Sequence, residues 1–236
     1  MISLKKTQAR LQDPQKLFSH FNVVLLTVVV LLLLYNQYTI HQVSVSLGII
    51  KPSYSGDDSK LKGADLSKIT STAQSIQTLM PIEQIKDAQS AMAVMIPQGT
   101  PEYGQAAGVS YDNPVQGLDQ LVRLERSVQL NAEQQKRYVA LVTKPVGISC
   151  EYCCGVGPIG VDANGKSRCG CKHNPAVLGL TKWLIQNTDY SDARIVKEVL
   201  LWKSLFFPKQ MVALSLKVAG GDPDTLKDLP GMVGGC

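Results

Sequence analysis

Charge is scarce in this chain of 236 residues: Asp, Glu, Lys and Arg make up 18%, aromatic residues 6%, and there are only three histidines. The 24 basic residues outnumber the 19 acidic ones by five, but the excess forms no broad patch. Residues 1–20 hold Lys5, Lys6, Arg10 and Lys16 against Asp13 alone; residues 41–150 are balanced, and residues 151–236 hold ten basic against eight acidic groups. A broad nucleic-acid-binding face is therefore excluded, and no nucleic-acid partner is expected. There is one long apolar run, which excludes a polytopic membrane protein, and a hydrophobic fraction of 44% excludes disorder of the whole chain.

The apolar run, Val23–Tyr35, contains no charge and one Thr. With Leu17, Phe18, Phe21, Tyr38 and Ile40 it reaches about 20 residues, enough to cross a hydrocarbon layer of about 30 Å. A buried soluble helix would need a polar face, and the run has none. A cleaved secretory signal fits less well, because the small residues Ser44-Val45-Ser46 lie about ten residues beyond the apolar stretch. The reading is an uncleaved signal-anchor over residues 21–41, after a basic tail at 1–20. Basic residues precede it and only Lys51 follows within Ser44–Ser55, so the N-terminus is expected in the cytoplasm and the rest outside, on a single-pass membrane protein. His20 and His41 flank this helix and read as interfacial.

Residues 42–65 read as a Ser- and Gly-containing stalk, on which Asp57-Asp58 is a solvated pair. A helical region over 66–145 follows. Its stripes are Ile69, Ala73, Ile76 and Leu79, then an Ala- and Met-rich segment between Pro81 and Pro97. Pro97–Pro114 reads as a loop. Asn113-Pro114 opens a helix carrying Val115, Leu118, Leu121, Leu124 and Val128, and Asn131 caps another that ends before Lys144-Pro145. Residues 146–210 combine a Cys/His knuckle with a helical hairpin. Asn174-Pro175 begins the first arm, with Val177, Leu180, Trp183 and Leu184 on its buried stripe. Asp189–Asp192 begins the second, with Ile195, Val199, Trp202 and Phe206, stopped by Pro208. Trp183, Trp202, Phe206 and Phe207 read as core rather than as a cofactor box. Residues 211–236 read as a flexible tail. The expected fold is mainly α, with a small Cys-rich β-hairpin knuckle seated on the helical hairpin.

Chemistry concentrates in that knuckle. Cys150, Cys153, Cys154, Cys169 and Cys171, followed by His173, give the spacing C-x2-C-C-x14-C-x-C-x-H. Between the two groups, Asn164-Gly165 is the preferred pair for a two-residue type I′ turn, which would set Val161 opposite Arg168 and return Cys153 and Cys154 to Cys171 and His173. Thiolates and an imidazole so arranged suit a zinc site that substitutes for a core, or copper(I), which soft sulfur selects. The expected ligands are Cys150, Cys153, Cys171 and His173, with Cys154 and Cys169 as substitutes. A disulfide framework is the chief rival in an oxidising compartment. An iron–sulfur cluster on four thiolates leaves His173 without a role.

Other chemistries fit poorly. Covalent haem needs Cys-x-x-Cys-His, whereas Cys154 follows Cys153; Gly155-Val156-Gly157-Pro158 would break the helix that thioredoxin-like chemistry requires. A thiol nucleophile has no third orienting residue, so no catalytic residue is assigned and an enzyme is not the expectation.

The segment Cys169-Gly170-Cys171-Lys172-His173 resembles the Cys-rich signature of exported, membrane-anchored bacterial proteins defined by a Pro-Cys-Tyr-Cys-Gly-Cys motif. That resemblance implies a metal-binding, copper-handling envelope protein and nominates Cys169 and Cys171. The chain departs from the motif in carrying Cys150–Cys154 well upstream. Three functions follow as expectations: an extracytoplasmic zinc- or copper-binding protein; an adaptor for a protein partner in the cell envelope, stapled by disulfides or a structural metal; and an extracytoplasmic thiol-disulfide oxidoreductase. No role for Cys236 follows from its position.

Overall fold

The structure, a computed structural model, describes residues 14–46, 61, 63–143, 161–221 and 224–226. It divides into two units, Met1–Lys51 and Pro52–Cys236.

Among the described residues the first unit contains one helix, α1 (Pro14–Ser46). Its stretch Asn22–Thr39 has a mean hydropathy of 1.6 and none of it is buried in the protein. By length and composition α1 can cross a membrane. Thr27 and Thr39 turn their hydroxyls back onto the carbonyls of Val23 and Tyr35, both at 2.8 Å, so neither presents an unsatisfied donor to an apolar surrounding.

The second unit is helical: α2 (Thr72–Leu79), α3 (Ala88–Met95), α4 (Gly104–Ala107), α5 (Pro114–Ser127), α6 (Ala132–Thr143), α7 (His173–Asn187), α8 (Asp192–Phe206) and α9 (Pro208–Ala219). Local chemistry explains most of the starts. Ser71 caps α2 by accepting from Gln74 N, Asp87 and Ser90 form a reciprocal capping box on α3, and Ser191 caps α8 by accepting from Arg194 N. Pro114 and Pro208 stand in the first turns of α5 and α9, where a missing N–H costs nothing.

Helix α8 is the centre of the unit: every residue from Ala193 to Ser204 is buried. One apolar cluster joins its Ile195, Val196, Val199 and Trp202 to side chains of α5, α6 and α7. A second joins its Leu200 and Leu201 to α2, α3 and α9. Two glycines permit the closest helix approaches. A Cβ on Gly179 of α7 would collide with the backbone of Leu121 and Glu125 on α5, and one on Gly117 of α5 would collide with the Trp202 ring. The α5–α7 contact depends on the bare Cα of Gly179.

Several expectations are corrected. The loop expected at 97–114 holds the short helix α4, closed by Gly108 in the left-handed region (φ 71°). Pro208 both ends α8 and starts α9, so residues 211–219 of the expected tail are helical, with Met211, Ser215 and Val218 buried. Helix α7 begins at His173 rather than at Pro175. Val115, expected on the buried stripe of α5, is 75% exposed. The Cys-rich β-hairpin is not formed among the described residues, which contain no strand, only one antiparallel bridge between Val161 and Ser167.

Candidate metal centre

The turn that carries Cys169 and Cys171 towards α7 is built on Asp162. Its N–H donates to Lys166 O at 2.9 Å and its C=O accepts from Gly165 N at 3.0 Å. Gly165 has φ 77°, and no residue other than glycine has a positive φ among the described residues. This is a three-residue loop with a glycine bulge rather than the expected type I′ turn, which would need Asn164 in the left-handed region as well. The extra residue moves Val161 opposite Ser167 instead of Arg168, and a one-residue slip exchanges the faces of the returning segment.

Helix α6 imposes that turn. Tyr138 donates its hydroxyl to Gly165 O at 2.7 Å, Gln135 Nε2 donates to Asn164 O at 3.3 Å, and a Cβ at Gly165 would meet the Tyr138 ring at 2.6 Å. The Asp162 carboxylate accepts from Asn164 N and Lys166 N, both at 2.9 Å. The Lys166 and Asn164 amides hold its carboxyl below the usual carboxylate range.

From this turn the chain is pinned to the amino end of α7. Ser167 Oγ accepts from Asn174 Nδ2 at 3.0 Å and from Cys169 N at 3.3 Å. Asn174, expected as a cap, is instead buried inside the first turn and reaches back to Ser167. Lys172 Nζ pairs with Asp119 of α5 at 2.9 Å. Within this frame Cys169 Sγ and Cys171 Sγ lie 3.3 Å apart, both half-buried.

His173 faces different surroundings. Its ring packs on Phe207 and Phe206, with centroids 4.8 and 5.4 Å away. Its Nδ1 is buried with no hydrogen-bond partner among the described residues. Among the described residues no three Cys, His, Asp or Glu side chains come together to hold a metal ion. The structure thus brings Cys169 to Cys171 and sets the His173 ring against two phenylalanines. Cys150, Cys153, Cys154 and Cys236 lie outside the described residues.

The sequence reading missed Ser167 and Tyr138, and gave Asn174 only a helix-starting role. A Ser two residues before a Cys carries a weak local signal for a side-chain turn. The contact of Tyr138 with Gly165 spans 27 positions and leaves no local trace. The chain matches no family model, no curated protein and no solved structure.

Proposed function

We propose that the protein is a single-pass, membrane-anchored metal-binding protein whose extracytoplasmic Cys/His cluster holds a zinc or copper(I) ion, with Cys169 and Cys171 as the core donors. The observation that carries this is the 3.3 Å separation of their sulfurs. In a tetrahedral site with zinc–sulfur bonds of about 2.3 Å the ligand sulfurs stand about 3.8 Å apart, so a small rotation at either cysteine admits the ion. Ser167, Asn174 and the Lys172–Asp119 pair hold the segment in place, and the amino end of α7 favours thiolates over thiols.

Two thiolates do not complete a zinc site. Cys150, Cys153 and Cys154 are the further donors proposed from the spacing, and His173 stands behind them, because its ring would have to leave Phe206 and Phe207 to coordinate. Zinc would make the site structural; copper(I), content with two or three sulfur ligands, would make it exchangeable. The orientation rests on the basic residues before α1, which favour retention of the N-terminus in the cytoplasm.

The test is elemental analysis of the full chain, purified anaerobically in detergent, beside the double variant C169S/C171S. The proposal expects one zinc or copper per chain, lost in the double variant while the helical circular-dichroism signal persists. Metal retained by the double variant would contradict it. So would metal-free wild-type protein whose cysteines are all oxidised, which would leave a disulfide-stapled adaptor.

A further inference from the structure

A recess of about 440 Å³ lies beside the entry to α8, and neither Cys169 nor Cys171 lines it. Its walls include three aromatic residues, Tyr103, Trp183 and Tyr190, and two carboxylates, Glu102 and Asp189. Among the described residues no Lys or Arg lines it. The ring centroids of Tyr103 and Trp183 are 6.1 Å apart and those of Tyr103 and Tyr190 6.5 Å, the latter pair edge to face. Its volume lies within the usual range for small-molecule sites, roughly 300–1,000 Å³.

We propose that this recess binds a small organic ammonium ion, received by the rings of Tyr103, Trp183 and Tyr190 and balanced by Glu102 and Asp189. Aromatic faces attract cations through their quadrupoles, most strongly when water is excluded. Polar groups on the walls support the same sign of charge. Tyr190 donates its hydroxyl to Glu102 Oε2 at 3.0 Å, Thr188 donates to Leu184 O at 2.6 Å, and Asn187 Nδ2 donates to Trp183 O at 2.9 Å. With the Tyr190 and Thr188 hydroxyls and one Asn187 N–H engaged inside the protein, the recess offers a ligand carboxylate oxygen and π-surface. Two nearby cations among the described residues are ion-paired. Arg194, 5.0 Å from the centre of the Tyr190 ring, is paired with Glu198 at 2.9 Å, and Arg137, which holds Tyr190 O at 2.6 Å, is paired with Asp192 at 2.7 Å. Arg194 also shows the Tyr190 ring already accepting a cation. This inference is independent of the metal site.

Binding is measured by titration calorimetry on the full chain in maltoside micelles, which carry no choline headgroup. The probes are choline and its neutral isostere 3,3-dimethyl-1-butanol. Choline should bind about tenfold more tightly than the isostere. The double variant E102Q/D189N, which alters exposed side chains, should abolish that preference without changing the thermal unfolding of the chain. Phosphocholine should bind about tenfold more weakly than choline, because its phosphate meets both carboxylates, which separates a free ammonium ligand from a zwitterionic lipid headgroup. Absence of choline binding, equal binding of the isostere, an unaltered preference in E102Q/D189N, or phosphocholine binding as tight as choline would each overturn the proposal.

Discussion

The Tyr111 hydroxyl donates to Glu198 Oε2 at 2.5 Å across 87 positions of sequence, in an interior where both residues are buried. The other carboxylate oxygen of Glu198 pairs with Arg194 Nε at 2.9 Å, with side chains only 1% and 7% exposed. Above them Trp202 Nε1 donates to the Tyr103 hydroxyl at 2.8 Å. Glu198 and Arg194 can therefore be enclosed on the central helix, because their charges are satisfied by each other and by the Tyr111 hydroxyl.

Removing one member of this network should cost very different amounts. Glu198→Ala removes one side of a buried ion pair with Arg194 and should destabilise the protein by about 3–5 kcal/mol. Tyr111→Phe removes one hydrogen bond to a charged group, about 1.5–3 kcal/mol. Urea unfolding of the two variants beside the wild type measures both; a smaller loss for Glu198→Ala than for Tyr111→Phe would refute this ordering.

The buried phenols set an alkaline limit. Burial raises Tyr103 and Tyr111 well above the ordinary value of 10.0, with the Glu198 charge acting in the same direction on both. Burial raises Tyr138 too, and burial with the Glu102 hydrogen bond pushes Tyr190 up to about 12. Unfolded chains release these protons near 10, whereas the folded protein keeps them. The unfolded state thus binds fewer protons, and stability falls as pH rises through 10 towards the folded values. Spectrophotometric titration should show Tyr103, Tyr111, Tyr138 and Tyr190 ionising late, together with loss of helix.

Gly179→Ala tests the α5–α7 contact. The added methyl group meets backbone rather than a movable side chain, so the helices must separate, at a cost of about 1–3 kcal/mol or more. Gly170→Ala, whose added Cβ meets no described residue beyond its chain neighbours within 4 Å, is the control and should leave the melting temperature nearly unchanged.

Helix α1 should hold the chain in membranes. The full protein is expected to remain in the pellet after alkaline carbonate extraction, and a chain lacking residues 1–46 to appear in the supernatant. Release of the full chain by carbonate would contradict the anchor.

Much of the fold was legible locally. Pro114 in the first turn of α5 and the Ser191 cap of α8 mark helix starts by chemistry that acts within three residues, and the stripe Ile195, Val199, Trp202 was correctly read as buried. What escaped depends on distant partners. The stripe reading gave α8 a single apolar face, but layers from both ends of the unit cover it, so Arg194, Lys197 and Lys203 are buried as well. Asn164-Gly165 favours a type I′ turn in isolation, and Tyr138 and Gln135 of α6 select another. At the candidate site, the proximity of Cys169 and Cys171 follows from their spacing, while the placement of His173 against Phe206 and Phe207 depends on where α8 ends.

X-ray absorption at the zinc and copper edges of the anaerobically purified full chain tests the central claim most directly. The account predicts one ion per chain with a first shell dominated by sulfur at about 2.2–2.3 Å, diminished in C169S/C171S. A shell of nitrogen and oxygen alone, or no bound zinc or copper, would contradict it.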